Sequence, residues 1–175
     1  MVKWYLFLIV IFLSGCAVPE SRLFTPDKNH LQHRQMETRR FDTNDEEKML
    51  MSAIHVFQDM GYNIEETEVD LGLITANKIR PGAPLCRTVV VGHDAQGRQI
   101  TRQECESTNM HTHATLVSTA SRTGDGFNVR VQFVQQRRVT PGGRIVSNNR
   151  ITDAATYQGF FNQLGQSLFL TANNI

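Results

Sequence analysis

The side chains with the most chemical scope in this 175-residue sequence are three cysteines and six histidines, and their spacing narrows what they can do. Cys86 and Cys105 lie in two runs, 86–91 and 98–105, that flank Asp94-Ala95-Gln96-Gly97, a segment of turn composition. Counting outward residue for residue from that turn sets Val91 against Ile100 and Cys86 against Cys105. Directly opposed residues of an antiparallel hairpin stand roughly 4.5 to 5.5 Å apart at Cα, within reach of a disulfide. The expectation is therefore a disulfide-stapled β-arm over 86–105. A reactive dithiol or a metal pair are the rivals, but redox cysteines normally sit as close as Cys-X-X-Cys. His111-Thr112-His113 would place two imidazoles on one face of a strand, which is at best half of a structural zinc site. With only the unplaced His93 as a further candidate, a polar strand surface is the default, and no metal or other cofactor is expected. The acidic run Asp45-Glu46-Glu47 reads as the favourable charge of a helix start. No nucleophile elbow, zinc-protease helix or phosphate-cradling glycine loop is present, so no catalytic residue is assigned and the chain reads as a non-enzyme.

The third cysteine belongs to a different pattern. Lys3 precedes an unbroken apolar run from Trp4 to Leu13, the layout of a secretory signal peptide. About 20 apolar residues are needed to cross a bilayer, so ten mark an export signal and not a span. Leu13-Ser14-Gly15-Cys16 resembles the lipobox of bacterial lipoproteins. The resemblance implies removal of residues 1–15, lipid attachment (palmitate among the acyl groups) at Cys16, and export to an oxidising compartment in which Cys86 and Cys105 would pair.

Taking the first 15 of 175 residues away leaves 160, about one domain and a tether. The 18 Lys and Arg balance 17 Asp and Glu, which argues against nucleic acid as a partner. Residues 16–35 read as a lipidated N-terminus and flexible tether, without apolar periodicity and broken by Pro19 and Pro26. Arg22, Lys28, Arg34, Arg39 and Arg40 outnumber Glu20, Asp27 and Glu37 around it, a bias that anionic lipid head groups would favour. An ordinary solvated linker is the plainer reading.

A single domain should occupy 36–175. A short strand over 36–42 precedes a helix at about 44–60, started by a Thr43/Glu46 capping box and stopped by Gly61. Leu50, Ala53, Ile54, Phe57 and Met60 define its apolar face, with His55 and Gln58 solvated. Residues 62–79 read as one extended segment bent at Gly72, and 80–84, with two prolines, as a loop. Phe127, Val129, Val131 and Phe133 alternate without error as a half-buried strand, paired with a strand over 115–121. An extended piece follows at 144–151. A second helix at about 153–169, capped by Thr152 or Asp153, buries Tyr157, Phe160, Phe161, Leu164 and Leu168. Its Gly159 and Gly165 imply close packing against the sheet. These elements predict an α+β fold: a two-layer sandwich, antiparallel sheet with two helices packed on one face.

Three segments, Phe57-Gln58-Asp59-Met60-Gly61-Tyr62, Asp70-Leu71-Gly72-Leu73-Ile74 and Tyr157-Gln158-Gly159-Phe160-Phe161 running on to Ser167-Leu168-Phe169-Leu170, resemble a family of largely uncharacterised bacterial lipoproteins. The resemblance implies a helix-grip-like domain, similar in architecture to the repeats of a lipoprotein component of the outer-membrane β-barrel assembly machinery. Ala17, where aspartate would favour inner-membrane retention, implies an outer-membrane lipid anchor facing the periplasm. The expected role is a structural or interaction module of an envelope protein complex, with no nucleic acid and no small-molecule substrate. The alternative is a binding domain for a small apolar or lipid ligand between helices and sheet, lined by Phe57, Phe133 and Phe160.

Overall fold

In the computed structural model of the chain, residues 29–172 are described. Residues 1–28, with the lipobox and Cys16, and residues 173–175 lie outside them. The order is α1 (His30–Glu37), β1 (Thr38–Phe41), α2 (Glu46–Asp59), β2 (Asn63–Glu68), a 3₁₀ turn (Val69–Leu71), β3 (Leu73–His93), β4 (Gln99–Ala120), β5 (Phe127–Thr140), β6 (Ile145–Arg150) and α3 (Ala154–Ala172). The fold is α+β, an antiparallel six-stranded sheet with three helices among the described residues. The sheet runs β1-β5-β4-β3-β2 with β6 also on β5, so β1 and β6 share one edge of β5, at residues 127–130 and 134–138.

One cluster forms the core. Met49, Leu50, Ala53, Val56 and Phe57 of α2 and Tyr157, Phe160, Phe161 and Leu164 of α3 meet Ile74, Ala76, Ala114, Leu116, Val129, Val131 and Phe133 of the strands. The strict alternation in β5 appears as fully buried Val129, Val131 and Phe133 between partly exposed neighbours. Removing each such side chain from water contributes about 1.5 to 3 kcal/mol, which is what fixes strand register against slippage. At the end of α2, Gly61 takes φ 79°, and the amides of Gly61 and Tyr62 close on Gln58 and Phe57, as the sequence predicts.

Several expectations are corrected. Asp45, not Thr43 with Glu46, caps α2: its carboxylate accepts the Lys48 amide at 2.9 Å, and Thr43 accepts from the Asp45 amide instead. Of the two residues expected to cap α3, Thr152 and Asp153, it is Asp153 that does so, through Ala155 and Thr156. The two-helix expectation omits α1, which occupies the end of the stretch read as tether and the first two residues of the strand expected over 36–42, leaving β1 only Thr38–Phe41. The extended segment 62–79 is two strands: the 3₁₀ turn and Gly72, at φ 61°, reverse the chain so that β2 pairs with β3. A Cβ on Gly72 would come within 2.8 Å of the Ser118 carbonyl oxygen, so the turn needs glycine twice over. Residues 80–84 are not a loop; β3 continues through both prolines, with Pro81 in register opposite Asn109 and Pro84 in a bulge. Beyond Asn77 β3 has no partner on the side away from β4 among the described residues, so a proline nitrogen there deprives no ladder of a donor. Likewise 98–105 and 115–121 are one 22-residue strand, β4. Close packing does not account for Gly159, whose missing side chain would face open space, while Gly165 lies only in ordinary contact with Phe41.

Candidate interaction site

The functional candidate grows from the length mismatch of the strands. Pairing of β5 with β4 ends at Thr140 and Ser107, and pairing of β2 with β3 ends at Asn63 and Asn77. From Leu85 to His93 and from Gln99 to Glu106 the two central strands have only each other among the described residues. The result is a two-stranded arm of about nine residues a side, roughly 30 Å of extended chain.

The arm is held at three places. At its root, Ala83 and Pro84 bulge from β3 opposite the single residue Ser107. Their carbonyls are captured rather than orphaned: the Thr108 hydroxyl donates to Ala83 O at 2.6 Å, and the Arg137 guanidinium donates to Ala83 O and Pro84 O and to Thr108 Oγ1. A Cβ on Gly82 would meet Thr108 Oγ1 at 2.6 Å, which is why glycine precedes the bulge. In its shaft, Cys86 and Cys105 are directly paired, with Cα atoms 4.0 Å and sulfurs 2.06 Å apart. The predicted opposition of these two residues therefore holds. Register slips only nearer the tip, where Val91 bulges and Ile100 pairs with Gly92 instead of Val91. At the tip, Asp94 accepts from the amides of Gln96 and Arg98 and from Arg98 Nε, and the Arg98 amide foremost holds its carboxyl below the usual carboxylate range.

Alternation along β4 sorts the arm's side chains. The buried Thr108, Thr112, Ala114, Leu116 and Ser118 define one face, and Ile100, Arg102, Glu104 and Glu106 continue it. Glu104 there bridges Arg87 at 3.3 Å and Arg102 at 3.2 Å, and Glu106 takes Arg144 at 2.8 Å. The other face carries Cys86, Thr88, Val90, Thr101, Gln103 and Cys105 and no charge. These ion pairs are exposed and each contributes about 1 kcal/mol at most.

His111 and His113 do share a face, with rings nearly parallel and centroids 6.5 Å apart. Burial foremost, then Arg138 and His113, lowers the pKa of His111. His113 Nδ1 is 4.0 Å from Glu65, which is also bonded by the Asn77 amide. Among the described residues no group of three or more His, Cys, Asp or Glu side chains could hold a metal ion, and His93 sits at the arm's end of β3.

One cluster escaped the sequence reading. Glu37 is fully buried against the guanidinium groups of Arg130, at 3.2 Å, and Arg150. The partners are 93 and 113 residues away, so no local pattern could signal it. Arg39 and Arg40, which the sequence placed among linker charges, also belong to the folded unit: Arg39 bonds Asn162 and lies over Phe161, and Arg40 bonds Asp42 and the Asp125 carbonyl. Phe57, Phe133 and Phe160 pack ring on ring at 4.9 to 6.4 Å. A cleft of about 640 Å³ opens elsewhere, along Arg39, Phe41, Phe161, Gly165 and Leu170. No helix among the described residues is long and apolar enough to cross a membrane. Neither the protein-family models nor the curated proteins include a match to this chain.

Proposed function

We propose that this chain is a non-catalytic interaction module of an envelope assembly, tethered by lipid on Cys16 to the outer membrane and facing the periplasm. The body is read as a helix-grip-like two-layer sandwich with α2 and α3 on one face of the sheet. Its task is to hold out the arm. The observation that carries this reading is the arm itself: among the described residues its two strand edges and two faces are uncovered, yet its root, shaft and tip are each pinned by specific bonds. A strand pair that served only the core would end where the core ends. Open edges offer unpaired backbone groups for strand addition. The exported setting implied by a signal over residues 1–15 also suits a disulfide.

The ligand-binding alternative gains nothing from Phe57, Phe133 and Phe160, because these rings fill the volume that a ligand would need.

Replacing Cys86 and Cys105 with serine should leave the chain membrane-bound and folded but reduce recovery of a crosslinked envelope partner. Undiminished recovery would remove the arm from the account. Labelled palmitate should enter the wild-type chain and not a Cys16→Ala variant; equal labelling of neither, with the product free in solution, would remove the tether.

A further inference from the structure

The free edge of β3 is not open along its whole length. Folded proteins guard exposed edges with prolines, bulges and charges, since an unguarded edge invites pairing. Here Pro81, Pro84 and the bulge before Leu85 guard the inner part, and the bulge at Val91 guards the tip. Between them Leu85-Cys86-Arg87-Thr88-Val89-Val90 keeps regular register with β4, is rich in β-branched residues, and carries one charge. The equivalent edge of β4, over Thr101–Glu106, carries three: Arg102, Glu104 and Glu106.

Which backbone groups the window offers follows from the cysteines. Opposed residues in antiparallel sheet stand about 5.5 Å apart at Cα where they exchange hydrogen bonds and about 4.5 Å where they do not. At 4.0 Å, Cys86 and Cys105 are a non-bonded pair. The amide and carbonyl of Cys86, and by alternation those of Thr88 and Val90, therefore point away from β4 to the open edge. Leu85, Arg87 and Val89 spend theirs on β4.

We infer that this window is a self-association site, at which the β3 edge of a second copy of this chain adds antiparallel about a two-fold axis with Thr88 facing Thr88. The inference builds on the arm being the interaction element and names its partner. A two-fold axis normal to the sheet requires some residue to face its own copy, and few choices survive. Centring on Arg87 would oppose two like charges, which disfavours that register. Centring on Cys86 runs the pairing into Pro84, and centring on Val89 pairs only Thr88 with Val90 on each side before Cys86 meets the Val91 bulge. Centring on Thr88 pairs Cys86 with Val90 on both sides, aligns all three outward-facing residues, and sets Arg87 beside Val89. Threonine opposite threonine is a favourable cross-strand pair. Isologous two-fold pairing is also the commonest form of self-association.

The test uses the full chain in detergent, by sedimentation velocity. Wild type should form a dimer. Thr88→Pro removes an amide that points away from β4, so it should abolish the dimer while the circular dichroism spectrum and the Cys86–Cys105 bond persist. Thr88→Lys and Thr88→Glu should each weaken dimerisation on the order of fivefold or more, and an equimolar mixture of the two should recover it, because only residue 88 facing itself makes that pair complementary. A monomeric wild type, a dimer that survives Thr88→Pro, or no recovery in the mixture would each overturn the inference. If wild type is monomeric and Thr88→Pro instead loses a different crosslinked protein, the edge takes a foreign strand: this inference falls while the docking role stands. A dimer that behaves as described but brings down no envelope protein leaves this inference standing and removes the docking role.

Discussion

Loss of the Cys86–Cys105 bond should unfasten the arm without loosening the body. The bond closes a loop of 20 residues, for a sequence separation of 19. On the chain-entropy account, a loop of that size is worth about 3 kcal/mol to the state it constrains. Which state matters here. On the tip side of Ser107 the arm has no third strand among the described residues, and a two-stranded hairpin without one is marginally stable in water. The arm can therefore open alone, and the staple's contribution falls on that local opening. In the Cys86→Ser/Cys105→Ser variant, amides that bond across the arm should exchange with solvent roughly a hundredfold faster, since each 1.4 kcal/mol is tenfold. The geometry names them: Arg87, Val89, Arg102 and Glu104, which belong to the bonded pairs flanking the cysteines. Amides of Leu116 and Val131, fully buried in the core, should change by less than twofold. Residue-resolved hydrogen exchange by NMR at fixed pH reads both sets. Unchanged exchange at the four arm amides would mean that root and tip alone hold the hairpin. A parallel rise at Leu116 and Val131 would mean that arm and body unfold as one unit, and the picture of a separately pinned arm would be wrong.

Glu37→Gln should lower stability by about 1 to 3 kcal/mol in urea unfolding, less than a fully buried pair would lose because Arg130 and Arg150 keep 38% and 29% of their side chains exposed; a change under about 0.5 kcal/mol would show that solvent already satisfies both arginines. Burial pushes the Tyr62 hydroxyl up to about 12, so on raising the pH the unfolded chain ionises first and the native state loses stability from about pH 10 toward 12, at up to ~1.4 kcal/mol per pH unit. Because burial raises the Tyr157 hydroxyl as well, the measure is the difference from a Tyr62→Phe control: ultraviolet titration should give both chains the same amplitude in the ordinary transition near 10, and one extra phenol ionising there in wild type would refute the burial of Tyr62.

What could be read in advance divides along a physical line. The two long helices and the alternation in β5 were legible because each is set by residues near in sequence, through apolar periodicity and a glycine stop. The opposition of Cys86 and Cys105 follows from the hairpin, although the chain reverses one residue wider than counted, with the Asp94 amide on Arg98 O, and the Val91 bulge restores the count. Where the reading failed, the deciding neighbour was remote. Pro81 and Pro84 mark a loop by composition, but a proline is excluded only from a strand with partners on both sides, and whether β3 has one there depends on where β2 stops. The linker charges failed for the same reason, since Glu37 takes its meaning from Arg130 and Arg150. A capping box is a local signal, yet Asp45 took the cap: with Asp45 in extended conformation its carboxylate already reaches the Lys48 amide, leaving Thr43 to bond the amide of Asp45. The arm shows the two kinds of information meeting. Its turn, strands and staple are written locally, but that it projects at all follows from β5 and β2 ending early, at Thr140 and Asn63. The feature most open to a partner is thus made by what its neighbouring strands do not cover, which no pattern within 86–105 could announce.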